Sequence, residues 1–437
     1  MRAGFAEVEF TPPEGFMPGE FKAYYAKGAY TPLQANAAAF TNGGETVILI
    51  SADYLLFRTD YANSIRTKIS EKTGVAVEKI LLAATHTHMG PSMDTPCWKS
   101  PAEPEIASVV AHRIVTAAVK AFENQTDGVK IGVGRGEERR FSFCRDVVLA
   151  DGTIKTNAGI RPDILRTCDT PDYAVEIMRI ERDGKIAAIM VNYANHPDSN
   201  SRSRERNKFC ADWPGFLRIA LKEKYGEDVV VLFFNGCCGD VNHLDFLNGT
   251  HLKLHMAEGV VTPEVIGRGL ADTVAGVMDG IVADEKDETL RAECLGITVK
   301  RRQITDVERA WAAEVIERTK TEYVSASEYG TANAYVKTGD NVPETEIFSV
   351  YGYRIGPWGI IAMPGEMYTA LGRSIKQGSP FEHTIAVELA NGHHGYVIPD
   401  HVRENGSYEG RFSSGTTGFG AFEAIINGAV ETLKKIY

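Results

Sequence analysis

His86 and His88 stand two residues apart in the segment Thr85-His-Thr-His-Met-Gly-Pro91. On an extended backbone, side chains at i and i+2 point the same way, so both imidazoles can face one site, or one can ligate a metal while its neighbour meets a substrate. Histidines at strand ends also serve as hydrogen-bonded turn residues, and the spacing by itself does not choose between these readings. A third histidine, His196, follows an apolar run and precedes Pro197, whose ring biases the preceding residue toward an extended or turn conformation. Glu366, in Met363-Pro-Gly-Glu-Met367, reads by itself as an acid favoured at a helix N-terminus. Tyr396 alone reads as a core or interface aromatic.

The elements that must carry these residues are short apolar runs ending in polar turns. Thr46-Val-Ile-Leu-Ile-Ser51 is followed by a helical stretch from about Asp60 to Lys72. Lys79-Ile-Leu-Leu-Ala-Ala84 comes next, too short for a stable helix and suited to a buried strand. That strand delivers His86 and His88 at its C-terminal end, where open α/β sheets place their chemistry. The same grammar recurs at 187–193 before His196, at 229–234 before Asn235-Gly-Cys-Cys-Gly-Asp240, at 358–363 before Glu366, and at 384–389 before Tyr396. The runs 46–86 and 358–396 each suit one βαβ unit and suggest an internal pseudo-repeat. These observations predict an α/β fold of mixed sheets flanked by helices. A single domain over 1–437 is expected, with insertions at about 135–180 and 263–328.

The chain has 437 residues, 43% of them apolar, enough for one large core or two ordinary ones. Its 47 basic and 58 acidic residues give a net charge of -11 without long runs of either sign, which argues against nucleic acid as a partner. No apolar run of signal-peptide length follows the N-terminus, and no segment holds about 18 uninterrupted apolar residues. Seven scattered cysteines are an odd number, as expected for reduced thiols, and no CxxC pair offers a thiolate zinc site. The expectation is a cytoplasmic protein that does not cross a membrane. Symmetric dimers are common among soluble proteins, so a homo-oligomer fits the same reading.

Several segments, in order along the chain, resemble the neutral, non-lysosomal ceramidase family. They are Gly4-Phe-Ala-Glu-Val-Glu-Phe-Thr-Pro-Pro13, Leu33-Gln-Ala-Asn-Ala37, Ser51-Ala-Asp53, Thr85-His-Thr-His-Met-Gly-Pro91, Asn192-Tyr-Ala-Asn-His-Pro197, Asn235-Gly-Cys-Cys-Gly-Asp-Val241, Pro364-Gly-Glu366 and Asn391-Gly-His-His-Gly-Tyr396. The resemblance implies a catalytic-domain-like fold and one Zn2+ per chain held by His86, His196, Glu366 and Tyr396. Two histidines and a carboxylate are sensible donors for a catalytic zinc site, which keeps an open position. The implied chemistry is amide or ester hydrolysis, because zinc polarises a carbonyl and acidifies water toward a pKa of about 7. Under the same resemblance His88 serves as a proton shuttle or oxyanion donor, Asp240 as a carboxylate orienting a ligand or water, and Arg145 as a group that stabilises developing negative charge.

The chain departs from the family at Asn242, where ceramidases carry a serine, so a mechanism needing that hydroxyl is unavailable while a zinc-water mechanism survives. The C-terminal β-rich domain of those enzymes is also not expected here. Polar residues flank the candidate site: the stretch 199–207, which includes Ser203 and Arg204, together with His243, Asp245, His393 and His394. An acyl groove would need more apolar surface, since each buried methylene contributes about 0.8 kcal/mol. A small polar or sugar-derived metabolite is therefore expected as substrate in place of ceramide. Two other readings stand beside this one. The scaffold could be a pseudoenzyme or polar-ligand binder, or a different HxH metallohydrolase, although the run after His88 lacks the usual HxHxDH pattern.

Overall fold

Three four-stranded sheets are built by the same chain path, one after another. The computed structural model describes residues 1–19, 24–97, 100–202, 205–249, 262–338, 342–403, 405 and 407–437. In the N-terminal sheet, Arg2–Glu9 pairs antiparallel with Gln34–Asn42, which pairs antiparallel with Glu45–Ala52. The helix Thr59–Thr73 then returns the chain to Ile80–Ala84, parallel to Glu45–Ala52. The central sheet repeats this with Lys130–Glu137, Ala174–Arg182, Lys185–Tyr193, the helix Asp212–Tyr225 and Val230–Asn235. The C-terminal sheet repeats it with Leu290–Lys300, Thr345–Ile355, Trp358–Ala362, the helix Thr369–Gly378 and His383–Val387. Each unit is followed by a further helix packed on its own sheet: Pro104–Glu123, Thr262–Met278 and Ala421–Ile436. The pseudo-repeat expected between two segments is thus threefold.

Side-chain alternation explains how the sheets assemble. Val47 and Leu49 point one way, into a cluster they share with Met190 and Leu232 of the central sheet and Trp358 and Ile360 of the C-terminal sheet. Ile48 and Ile50 point the other way, under Ile65 and Ile114 of the covering helices. Strands buried on both faces in this manner read as continuous apolar runs. The three sheets therefore surround one common core with the helices outside.

The excursions from this frame differ from those expected. Residues 130–137 and 174–182 are strands of the central sheet, so the insertion expected at about 135–180 shrinks to a small three-stranded sheet: Asp146–Leu149 between Ile154–Thr156 and Ile164–Thr167. Likewise Thr262–Met278 covers the central sheet and Leu290–Lys300 opens the C-terminal one, which leaves the helix pair Asp306–Arg318 and Ala326–Thr338 as the excursion there. Among the described residues, no helix is long and apolar enough to cross a membrane.

The packing of Thr262–Met278 on Asp212–Tyr225 depends on Gly267. A Cβ there would stand 2.5 Å from Phe216 Cβ and 2.5 Å from the Trp213 carbonyl oxygen. Glycine to alanine ordinarily favours a helix by about 1 kcal/mol. Here overpacking reverses the sign, and Gly267→Ala is expected to lose about 1–3 kcal/mol in urea unfolding.

Candidate metal centre

The ends of the three units converge on one buried site. His86 follows the fourth strand of the first unit, His196 the third strand of the second, and Glu366 the third strand of the last. The chain then pairs Glu366–Met367 parallel with Tyr396–Val397, so Glu366 and Tyr396 sit side by side. Gly365 makes that pairing fit: its φ is 149°, and a Cβ would lie 2.5 Å from the Gly395 carbonyl oxygen. His86 has a φ of 74°, a left-handed conformation costly for a residue with a Cβ, and such strain concentrates at functional sites.

His86 and His196 are both oriented by backbone carbonyls. His86 Nδ1 lies 2.8 Å from the Leu55 oxygen, and His196 Nδ1 lies 2.9 Å from the Cys238 oxygen. A carbonyl only accepts, so each Nδ1 carries the hydrogen and each Nε2 presents a lone pair when neutral. Those two Nε2 atoms are 3.1 Å apart. Two facing lone pairs at that distance repel unless a positive charge lies between them, either a proton on one imidazole or a metal ion. Two zinc–nitrogen bonds of about 2.0–2.1 Å at a tetrahedral angle place their nitrogens about 3.3 Å apart.

Glu366 supplies the matching anion. Its Oε2 lies 3.6 Å from His86 Nε2 and 3.7 Å from His196 Nε2, and it is buried without a hydrogen-bond partner. Its Oε1 is 3.3 Å from His393 Nε2. Burial works against ionisation of this carboxyl, but the hydrogen bond with His393 and the nearby His86 hold its pKa well below the usual range. Burial likewise opposes the charge on His86, and Glu366 outweighs it and raises that pKa. For His196, burial together with Arg145 and His86 pushes the pKa well down.

His88 joins the group: donor atoms of His86, His88 and His196, all buried, lie within 4.8 Å of one another. His88 Nδ1 sits 3.0 Å from the Gly19 oxygen, and burial, aided by His86, lowers its pKa to about 4. Tyr396 reaches the site beside Glu366, and its hydroxyl accepts a 3.0 Å hydrogen bond from Arg145 Nη2. Burial and the Glu366 carboxylate raise its pKa well above the ordinary phenol value, with Arg145 opposing.

Arg145 is buried and central. Its Nη1 is 3.5 Å from His196 Nε2, its Nη2 donates to the Gly239 oxygen at 2.7 Å, and its Nε donates to Glu409 at 2.8 Å. Asp240 lies one layer out, and here the expectation of a ligand-orienting carboxylate is corrected. Its two oxygens accept from the Thr369 amide at 2.7 Å and the Thr369 hydroxyl at 2.9 Å, which caps the helix Thr369–Gly378. Burial raises its pKa to about 6.

Other flanking residues divide in the same way. His243 pairs with Asp198 at 3.0 Å, and Asp198 lies near enough to His196 and His88 to act on them electrostatically. Asp245 accepts from the Asn248 amide in a turn, and His394 pairs with Glu346, so neither serves the centre. Asn242 donates to Asn157 and accepts from the Leu244 amide. Ser199 and Asn200 bond to Asp212, while Ser203 and Arg204 lie outside the described residues.

Two buried acids escaped the sequence reading. Glu388 ends the strand His383–Val387 and binds the Cys238 and Met367 amides; burial pushes its pKa to about 8. A charge closing an otherwise apolar strand was its signal. Glu409, the partner of Arg145, sits in a glycine- and serine-rich stretch and gave none.

No protein-family model matches the chain, and no curated protein does. Solved structures do match. The crystal structure of the neutral ceramidase from Pseudomonas aeruginosa aligns with a TM-score of 0.71 at 15% identity, covering 99% of this chain and 74% of that one. A ceramidase complexed with C2 aligns with a TM-score of 0.72 at 16% identity, again covering 99% and 74%. The chain therefore has a ceramidase-like fold.

Proposed function

We propose that the chain is a zinc-dependent hydrolase that cleaves an amide or ester bond in a small polar or sugar-derived substrate. The observation that carries this is the facing pair of Nε2 lone pairs at 3.1 Å with the unpartnered Glu366 Oε2 beside both, a donor set of the kind a catalytic zinc takes. His86, His196 and Glu366 would hold the ion, with Tyr396 as the fourth ligand. A divalent ion there supplies Lewis-acid polarisation of a carbonyl oxygen and acidifies water.

The protein's own groups account for the rest. The Leu55 and Cys238 carbonyls fix both tautomers, so no reorganisation is needed when the ion enters. Arg145 brings a permanent positive charge to the site, suited to the oxygen on which negative charge develops. His88 stands beside the ligands as the proton-handling group. The described neighbours are polar: Asp198, His243, Arg145 and His393. This composition supports a polar substrate over a long acyl chain.

Metal content measured on purified protein, combined with turnover of amide and ester panels, tests the proposal. About one zinc per chain and hydrolysis of a polar substrate would support it. Zinc without turnover on any panel would favour a binding protein on the same scaffold. His88→Ala separates ligand from proton carrier. It is expected to keep zinc near one per chain and to lose about 10²–10⁴ in rate, the usual contribution of a general acid or base. Loss of the metal in that variant would make His88 a third nitrogen ligand.

A further inference from the structure

The strand ends that carry His86 and Glu366 are both tied to the short segment 388–391. The Leu389 amide donates to the Gly365 oxygen at 2.9 Å, one residue before Glu366, and the Leu389 oxygen accepts from the Ala84 amide at 3.2 Å, two residues before His86. The Asn391 side chain accepts from the Leu82 amide at 2.8 Å. Leu389 and Asn391 both adopt left-handed backbone conformations, with φ of 53° and 62°, which turn the chain across the back of the centre. One side chain in this segment joins the Glu366 segment to the Cys238 turn that orients His196. Glu388 Oε2 accepts from the Met367 amide at 2.7 Å and the Cys238 amide at 3.1 Å, while Oε1 accepts from the Cys238 thiol at 2.8 Å.

We propose that Glu388 is the positioning residue of the metal centre: by holding the Cys238 and Met367 amides on one oxygen, it sets the distance between His196 and Glu366. The inference rests on the zinc reading above. The path to each ligand is short. Cys238 carries the carbonyl that orients His196 Nδ1, and Met367 follows Glu366 directly. The Met367 oxygen also accepts from the Gly239 amide at 2.8 Å, so the two segments are bonded to each other beside the bracket. Among the described residues no hydrogen bond links Glu388 to a ligand atom, although its carboxyl lies near enough to His86 and Glu366 to act on them electrostatically. Its positioning effect on the ion passes through the two backbones, and its charge acts beside it. Orienting groups of this kind typically change metal affinity by about 10–100-fold when altered.

Reach and charge make different predictions. In E388D the carboxyl is one methylene shorter and cannot span both amides while its strand stays in register. In E388Q the amide oxygen can still accept from both, and the amide nitrogen can face the Cys238 sulfur. Zinc affinity would be read by competition with a chromophoric chelator, and folding by melting in excess EDTA, where the ion makes no contribution. Positioning predicts that E388D binds zinc about 10–100-fold more weakly while E388Q stays close to the parent. Parental affinity in E388D overturns the inference and leaves the zinc reading intact. Loss in E388Q with E388D close to the parent overturns it in favour of a charge effect, equal loss in both overturns reach as what the residue supplies, and an E388D chain that does not fold overturns it in favour of a purely structural role. A parent that binds no zinc, in a preparation that melts cooperatively, overturns the zinc reading and this inference with it.

Discussion

Replacing His196 with alanine is expected to strip the chain of zinc and to abolish hydrolysis together. The imidazole contributes one of two nitrogens 3.1 Å apart, and both neighbouring segments are arranged to hold it. Without it, His86 Nε2, Glu366 Oε2 and the Tyr396 hydroxyl remain, a three-donor site with a single nitrogen that should hold zinc far more weakly. Metal-assisted polarisation is worth several kcal/mol, and each 1.36 kcal/mol is tenfold in rate, so kcat/KM should fall at least about a thousandfold. A thermodynamic readout accompanies the kinetic one. A ligand that binds only the folded state raises its stability by RT ln(1 + [L]/Kd), about 4.1 kcal/mol at a thousandfold excess over Kd. Zinc should therefore raise the melting temperature of the parent above its value in EDTA, and should leave that of His196→Ala unchanged. A variant that keeps one tightly bound zinc and a zinc-dependent melt would show that the ion sits elsewhere.

How much of this was legible before the structure depended on how each residue type signals its place. The parallel pairs were plain, because strands such as Glu45–Ala52 and Ile80–Ala84 are buried on both faces and leave unbroken apolar runs. The central unit was hidden in Lys130–Glu137 and Ala174–Arg182. Gly132, Gly134 and Gly136 make the first of these look like a loop, yet a Cβ at any of them would meet Ile281 or Val277 at 2.5–2.9 Å, so the glycines let a helix approach a strand. The stretch 290–299 reads as strand-like from the sequence, but its mostly half-exposed or exposed side chains give no sign that it opens a sheet. At the site, His86 and His196 stood out by position at strand ends. Glu366 and Tyr396 acquired a role only through resemblance, since their adjacency comes from a two-residue strand pair that no local pattern announces. Asp240 was misassigned for a related reason: a strand-end acid near the centre can serve a helix terminus as readily as a ligand, and only the positions of Thr369 N and Oγ1 decide.

The second large effect expected concerns stability more than chemistry. Arg145 and Glu409 are both buried, joined at 2.6 and 2.8 Å through Nη2 and Nε. Burial penalises the charge on Arg145, but Tyr396 and Glu409 outweigh that penalty and hold its pKa well above the ordinary value, so it stays a cation. Glu409→Ala leaves this guanidinium with the Gly239 carbonyl, the Tyr396 hydroxyl and His196, none of which carries a compensating full charge. Breaking one side of a buried pair costs about 3–5 kcal/mol, and equilibrium urea unfolding of the metal-free chain should show a loss of that size. The double variant Arg145→Met/Glu409→Leu removes both charges and their desolvation at once. Apolar replacement of a whole buried pair is often neutral or stabilising, so the double variant should recover most of what the single one loses. It should nevertheless be inactive, because no cation is left to meet the developing oxyanion. Recovery of stability without recovery of turnover would separate what the pair contributes to the reaction from what it costs the fold. A single variant as stable as the parent would mean that the neutral acceptors around Arg145 suffice, and that Glu409 is not its charge partner.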